Sequence, residues 1–270
     1  VKPALSCVIA VYNRPDFLER IFVSLQRQTH RDFEAVVADD GSGPEMAALV
    51  KQYSPRLPRP VVHVRHEHDG FRKSIIANRA VGACSGDYLA FVDGDCILHR
   101  RFLERHYAHR RRGAILSGRR VPFDEILTAR LTLDDVQTGR VERPWFWAAH
   151  CVRKDIKNGV YVPFSFEIEN LFVRDYTILG CNFSLYREDF LGINGYDERI
   201  VGRGMEDSNL YERFRKKGFR VFTIAREAIE YHQFHRFDPI PHDKEAVDFF
   251  CRPGDWWTPF GMVKRDAPPL

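Results

Sequence analysis

The sequence predicts an α/β fold, with a mostly parallel central sheet flanked by helices. Three observations carry that expectation. Near-continuous apolar, β-branched runs recur in the N-terminal part, as in strands buried on both faces. Segments with apolar residues at helical spacing alternate with them. Polar clusters of Asp, Gly and Asn close the runs, where open α/β sheets hold ligands.

Leu5–Val11 (LSCVIAV) reads as the first strand, broken by Tyr12-Asn13-Arg14-Pro15-Asp16. A helix follows, with Phe17, Leu18, Ile21, Phe22 and Leu25 at helical spacing and Pro15 near its start. Phe33–Ala38 is a second strand ending at Asp39-Asp40-Gly41-Ser42-Gly43, and Met46–Tyr53 a second helix. Val61–Arg65 reads as strand, Lys73–Cys84 as helix, and Tyr88–Val92 as a fourth strand stopping at Asp93-Gly94-Asp95. His99 to Arg112 reads as a basic helix with a solvated charged face. Residues 119–177 lack periodicity and read as loop-rich. Gly180–Tyr186 is expected as strand, Asp207–Lys217 as helix and Phe219–Ile224 as strand. The tail from Phe249 is aromatic and Pro-rich.

The 270 residues are 44% hydrophobic and 29% charged, which excludes a disordered chain, a coiled coil and a disulfide mini-protein. A net charge of +4 is too weak for a nucleic-acid binder. It fits an anionic small ligand, or a surface in peripheral contact with a membrane. No run approaches about 18 apolar residues, so no membrane-spanning helix is expected, and the N-terminus does not read as a signal peptide. The six cysteines are scattered without C-x-x-C spacing, and free thiols in a reducing cytoplasm are expected.

Asp93-Gly94-Asp95 places two carboxylates at a strand end, where they can face Mg²⁺ or Mn²⁺. A cation there would neutralise a diphosphate leaving group; an Asp-rich turn is the competing reading. Asp39-Asp40-Gly41-Ser42 can accept hydrogen bonds from a base or ribose. Tyr12 can stack on a base, and Arg14 can reach a phosphate. Glu206-Asp207 opens a helix, where acids also serve as caps and dipole partners. Tyr231-His232-Gln233-Phe234-His235 is a polar segment without the spacing of structural zinc. Trp145-Phe146-Trp147 and Trp256-Trp257 can stack on sugars or pack in the core.

Together these motifs resemble a known family. Val8-Ile9-Ala10-Val11-Tyr12-Asn13-Arg14, Asp39-Asp40-Gly41-Ser42 and Asp93-Gly94-Asp95 resemble the nucleotide-sugar half of family 2 glycosyltransferases with the GT-A fold. Gly180-Cys181-Asn182-Phe183-Ser184-Leu185 and Asn194-Gly195-Tyr196-Asp197-Glu198 look like the segments leading to the acceptor side. Gly202-Arg203-Gly204-Met205-Glu206-Asp207 is similar to the Gly-rich Glu-Asp motif of chondroitin polymerase domains and β-1,4-galactosyltransferases. Those relatives usually carry an aromatic residue and a Gly pair where this chain has Arg203-Gly204-Met205.

The resemblance implies a GT-A domain over residues 1–235, divided into a nucleotide-sugar half (1–118) and an acceptor half (119–235), with 236–270 as an extension. It implies donor contacts from Ala10, Tyr12, Arg14, Asp40, Arg72, Lys73, Asn78, Asp93 and Gly94. Asp93 would contact ribose or metal. Asp95 and His232 would ligate Mn²⁺ or Mg²⁺, with His235 as the other candidate. Asp207 would be the base and Glu206 an acceptor contact. The implied reaction is inverting transfer from a nucleotide sugar, UDP-linked, to a glycan or glycolipid hydroxyl. A retaining N-acetylgalactosaminyl-type transferase and a non-catalytic nucleotide-sugar-binding module are the alternatives.

Overall fold

The computed structural model describes residues 2–151, 153–172, 176–202, 205–236 and 256–264. Its elements, in chain order, are β1 (Leu5–Val11), α1 (Pro15–Gln26), β2 (Phe33–Asp39), α2 (Pro44–Tyr53), β3 (Val62–Arg65), α3 (Lys73–Ala83), β4 (Tyr88–Asp93), β5 (Cys96–Leu98), α4 (Phe102–Ala108), β6 (Ala114–Ser117), β7 (Arg119–Pro122), α5 (Glu125–Arg130), α6 (Leu133–Gln137), α7 (Pro144–Trp147), α8 (Ser165–Phe172), β8 (Phe183–Tyr186), α9 (Arg187–Gly192), α10 (Met205–Lys216), β9 (Arg220–Thr223) and β10 (Ile229–His232). The main sheet has seven strands in the order β3-β2-β1-β4-β8-β6-β9. Strands β3, β2, β1 and β4 are mutually parallel, β8 runs antiparallel to β4 and β6, and β6 is parallel to β9. A small second sheet has the order β5-β10-β7.

The first half matches the sequence reading because β1 and β2 are covered on both faces. One core cluster holds Ile9, Phe22 and Val37, and the other holds Val8, Val36 and Ala80. Alternate residues of each strand thus enter opposite layers. Pro15 at the first turn of α1 and Pro44 at that of α2 set the helix starts.

The second half departs from the reading. Residues 119–177, expected as loop-rich, contain β7, α5, α6, α7 and α8. These elements are short, so caps specify them rather than periodicity. Asp124 accepts from Leu127 N to start α5, and Thr132 with Asp135 forms a capping box on α6. The basic segment is helical only over Phe102–Ala108. The strand expected from Gly180 begins at Phe183, after a turn closed by a Leu179–Asn182 bridge. Trp147 is buried in the core, whereas Trp145 is 69% exposed. Trp256 packs against the second core cluster. Arg203, Gly204 and residues 237–255 of the tail lie outside the described residues. Among the described residues, Cys7, Cys84, Cys96 and Cys181 are free thiols. No helix among the described residues is long and apolar enough to cross a membrane.

Candidate active site

The carboxyl ends of β1, β2 and β4 open into a cleft of about 530 Å³. Its walls include Ala10, Tyr12, Arg14, Asp40, Lys73, Asp93, Gly94, Asp95, Glu206, Asp207, His232 and His235. Parallel register produces this convergence, because Val11 pairs with Asp39 and Ala10 with Asp93. Gly94 is required by close approach. Its N–H donates to Ala10 O at 2.7 Å, and a Cβ there would meet Val11 Cγ1 at 2.7 Å.

One end of the cleft is built around Asp40. Its Oδ1 lies 2.5 Å from His66 Nε2, and its Oδ2 accepts from Arg72 N at 2.9 Å. Tyr12, 44% exposed, stacks on His68 with ring centroids 4.3 Å apart. Arg14 is paired with Asp16 and lies over the Phe17 ring.

The middle holds Lys73, whose Nζ lies 3.0 Å from Asp93, 3.3 Å from Asp207 and 3.7 Å from Glu206. Burial alone would lower the Lys73 pKa. Asp207, Asp93 and Glu206 outweigh it and hold the ammonium well above the usual lysine range. Glu206 is buried, and its Oε2 has no hydrogen-bond partner. Burial, reinforced by the charge on Asp207, pushes the Glu206 carboxyl up to about 7. Asp207 accepts from the Tyr196 hydroxyl at 3.0 Å.

The other end is set by the second sheet. Antiparallel pairing places His232 of β10 opposite Cys96, beside Asp95. Gln233 N donates to Asp95 O and keeps the following residues alongside. Asp95 Oδ2 lies 3.3 Å from His232 Nε2 and 3.0 Å from His235 Nε2. Burial pushes the Asp95 carboxyl up, but the two imidazoles outweigh this and hold it well below the usual range. The three ligand atoms lie within 4.8 Å of one another, so this donor set fits a divalent cation. Both histidines converge on Asp95, and the geometry does not set one against the other.

Residues 6–187, more than half of the chain, match the family model described as Glycosyl transferase family 2. The chain belongs to glycosyl transferase family 2. Residues 168–242 match a second model, described as the N-terminal domain of galactosyltransferase. The family 2 chain is 28% identical over 239 residues to a validoxylamine A glucosyltransferase of Streptomyces hygroscopicus subsp. jinggangensis, covering 84% of the chain and 54% of that relative. It is 32% identical over 92 residues to a hyaluronan synthase of Pasteurella multocida, covering 34% of the chain and 9% of that relative. The chain therefore spans about half the length of the glucosyltransferase. Among solved structures, it is similar to the mannosyltransferase PcManGT from Pyrobaculum calidifontis in complex with GDP-Man and Mn²⁺, with a TM-score of 0.60 and 18% identity over 87% of this chain and 58% of that one. It is equally similar to Staphylococcus aureus TarS 1–349 in complex with UDP-GlcNAc, with a TM-score of 0.60 and 16% identity over 91% and 64%. The fold is GT-A, as the motifs implied.

Two residues that the resemblance implied as donor contacts, Asn78 and Arg72, are absent from the cleft lining of this family 2 chain. Asn78 is buried outside the cleft lining. Its amide donates to Tyr196 O at 2.9 Å and accepts from Tyr196 N at 2.8 Å, so it clamps a distant loop. The Arg72 side chain pairs with Asp69, and only its backbone N–H serves the site, through Asp40. Conversely, Tyr196, His66 and His68 were assigned no role from the sequence. The two histidines at alternate positions after β3 were a visible signal. The contact from Tyr196 to Asp207 depends on tertiary packing and had none.

Proposed function

We propose that this chain transfers a sugar, with inversion, from a nucleotide sugar of the uridine diphosphate class to a hydroxyl of a glycan or glycolipid. The observation that carries the reading is the convergence of two clusters on one cleft. Asp95, His232 and His235 form one, and Glu206 with Asp207, tied by Lys73 to Asp93, forms the other. A carboxylate with two imidazoles suits Mn²⁺ better than Mg²⁺, which favours oxygen ligands. A cation held there would neutralise the departing diphosphate. Tyr12 and Asp40 receive the nucleoside. Glu206 holds the acceptor, and Asp207 takes the proton of its attacking hydroxyl as the new C1–O bond forms opposite the departing diphosphate oxygen. Residues 1–118 act as the donor half, 119–235 as the acceptor half and 236–270 as an extension. A cytoplasmic setting, with peripheral membrane contact, belongs to the same proposal and fits the free thiols.

The test is thermal stabilisation of the purified chain by UDP- and GDP-sugars with Mn²⁺, followed by NMR of the product anomer. UDP-sugars should raise Tm only with the cation, and the product should be inverted. Stabilisation by GDP-sugars alone would overturn the donor class. A retained anomer would overturn the single displacement.

A further inference from the structure

Next to Asp95 lies a second group of side chains suited to a metal, which the transfer reaction does not use. Cys96 of β5, Cys181 from the turn before β8 and Glu230 of β10 are all buried. Their two sulfurs and a carboxylate oxygen lie within 4.8 Å of one another. The sheet explains the meeting. Cys96 pairs with His232, and Glu230 stands two residues before His232, so all three share one face.

The Glu230 carboxyl faces only the Cys181 thiol and, farther off, the Arg120 guanidinium, and neither of its oxygens has a hydrogen-bond partner of normal geometry. A carboxyl buried with so few donors stays protonated unless a cation meets it. Arg120 of β7 approaches from the side, its Nη1 at 3.8 Å from Cys181 Sγ. Taking up a metal would release the protons of the two thiols and the carboxyl, leaving three negative charges on the ligands. A divalent cation together with the Arg120 guanidinium balances them. A disulfide between the two cysteines would leave Glu230 as unsatisfied as before.

We propose that Cys96, Cys181 and Glu230 form a site for a soft divalent cation of the zinc class, separate from the Asp95, His232 and His235 group. Paired thiolates select zinc over the hard cations that suit carboxylates alone. Cys181 also lines the cleft, which gives the ion an entry path and an open fourth position. Cys96 Sγ lies 3.1 Å from Asp95 Oδ1, so an ion here would fix the turn that carries Asp95.

The test uses the full chain, reduced, stripped with chelator and titrated with Co²⁺ alone. One equivalent should produce a thiolate-to-cobalt charge-transfer absorption that Zn²⁺ abolishes. A cation on Asp95, His232 and His235 has at most Cys96 as a sulfur neighbour, so loss of the band in Cys181→Ser assigns the signal to this second site. Cys96→Ser and Cys181→Ser should each remove it, and Glu230→Gln should weaken Co²⁺ binding about tenfold or more. In the wild type, Zn²⁺ should shield Cys96 and Cys181 from a thiol reagent, mapped by mass spectrometry, which needs no variant to fold. Absence of the band from the reduced wild type would overturn the proposal. So would a band that survives both serine variants. Formation of a Cys96–Cys181 disulfide without metal uptake would assign the pair to redox chemistry instead.

Discussion

Tyr196 donates its hydroxyl hydrogen bond to Asp207 Oδ1 at 3.0 Å, while Lys73 holds Asp207 Oδ2 at 3.3 Å. Both oxygens of the proposed base are therefore oriented before any acceptor arrives. Asn78 extends the arrangement by fixing the backbone of Tyr196 on both its N–H and its carbonyl. A residue implied as a donor contact thus supports the proposed base.

Tyr196→Phe removes one hydrogen bond to a charged acceptor and leaves the ring packed against Phe91 and Phe190. Such a bond contributes about 1.5–3 kcal/mol. The transfer rate, or donor hydrolysis where no acceptor is supplied, should fall by roughly tenfold. Donor affinity should not change, because Tyr196 lies outside the cleft lining. Equal losses in affinity and rate would show that the hydroxyl does not act through Asp207.

Gly180 stands against the same carboxylate. A Cβ at this position would overlap Asp207 Oδ2. Gly180→Ala should therefore push Asp207 off Lys73 and lower the rate at least tenfold, a loss larger than any change in donor affinity. Steady-state rates beside calorimetric UDP affinity check this. A variant with native turnover would mean that Asp207 moves aside without consequence.

Glu206 gives a prediction in pH. Its pKa is raised from 4.5 to about 7 in the folded chain, by burial first and the Asp207 charge second. Between these values the folded chain keeps a proton that the unfolded chain has released. The Glu206 contribution to stability therefore falls as pH rises through this window. Glu206→Gln carries no such proton. Its Tm should gain on that of the wild type from about pH 4.5 to about pH 7, and the gap should level off above. Parallel Tm curves for the two proteins would rule out the perturbed carboxyl.

The sequence carried the donor half more fully than the acceptor half, for a physical reason. Strands β1, β2 and β4 are six or seven residues long and buried on both faces, so each announces itself as an apolar run. Strands β5, β6, β7 and β10 are three or four residues long, too short to show a period. The carboxylates of the cleft were legible because Asp40, Asp93 and Asp95 stand at or just past strand ends. The hold of Asn78 on Tyr196 was not legible because the two lie 118 residues apart. The Cys96, Cys181 and Glu230 group was invisible for the same reason, since three chain segments must fold before the donors meet.

Asp207 decides between chemistry and helix electrostatics. It lies in the first turn of α10, where an acid favours the helix dipole by about 0.3–1 kcal/mol. Asp207→Asn preserves size and can still accept from the Tyr196 hydroxyl, but it is no proton acceptor. If the residue serves only the helix, the variant should lose a little stability and keep its rate. If it is the base, donor and Mn²⁺ affinity should survive while turnover falls by roughly 10²-fold or more. Lys73 retains Asp93 and Glu206 as partners in the variant, so its charge is not left unpaired. Melting temperature, UDP affinity with Mn²⁺ and transfer rate, measured on one preparation, separate the two roles. A near-native rate with a slightly lowered Tm would remove Asp207 from the mechanism.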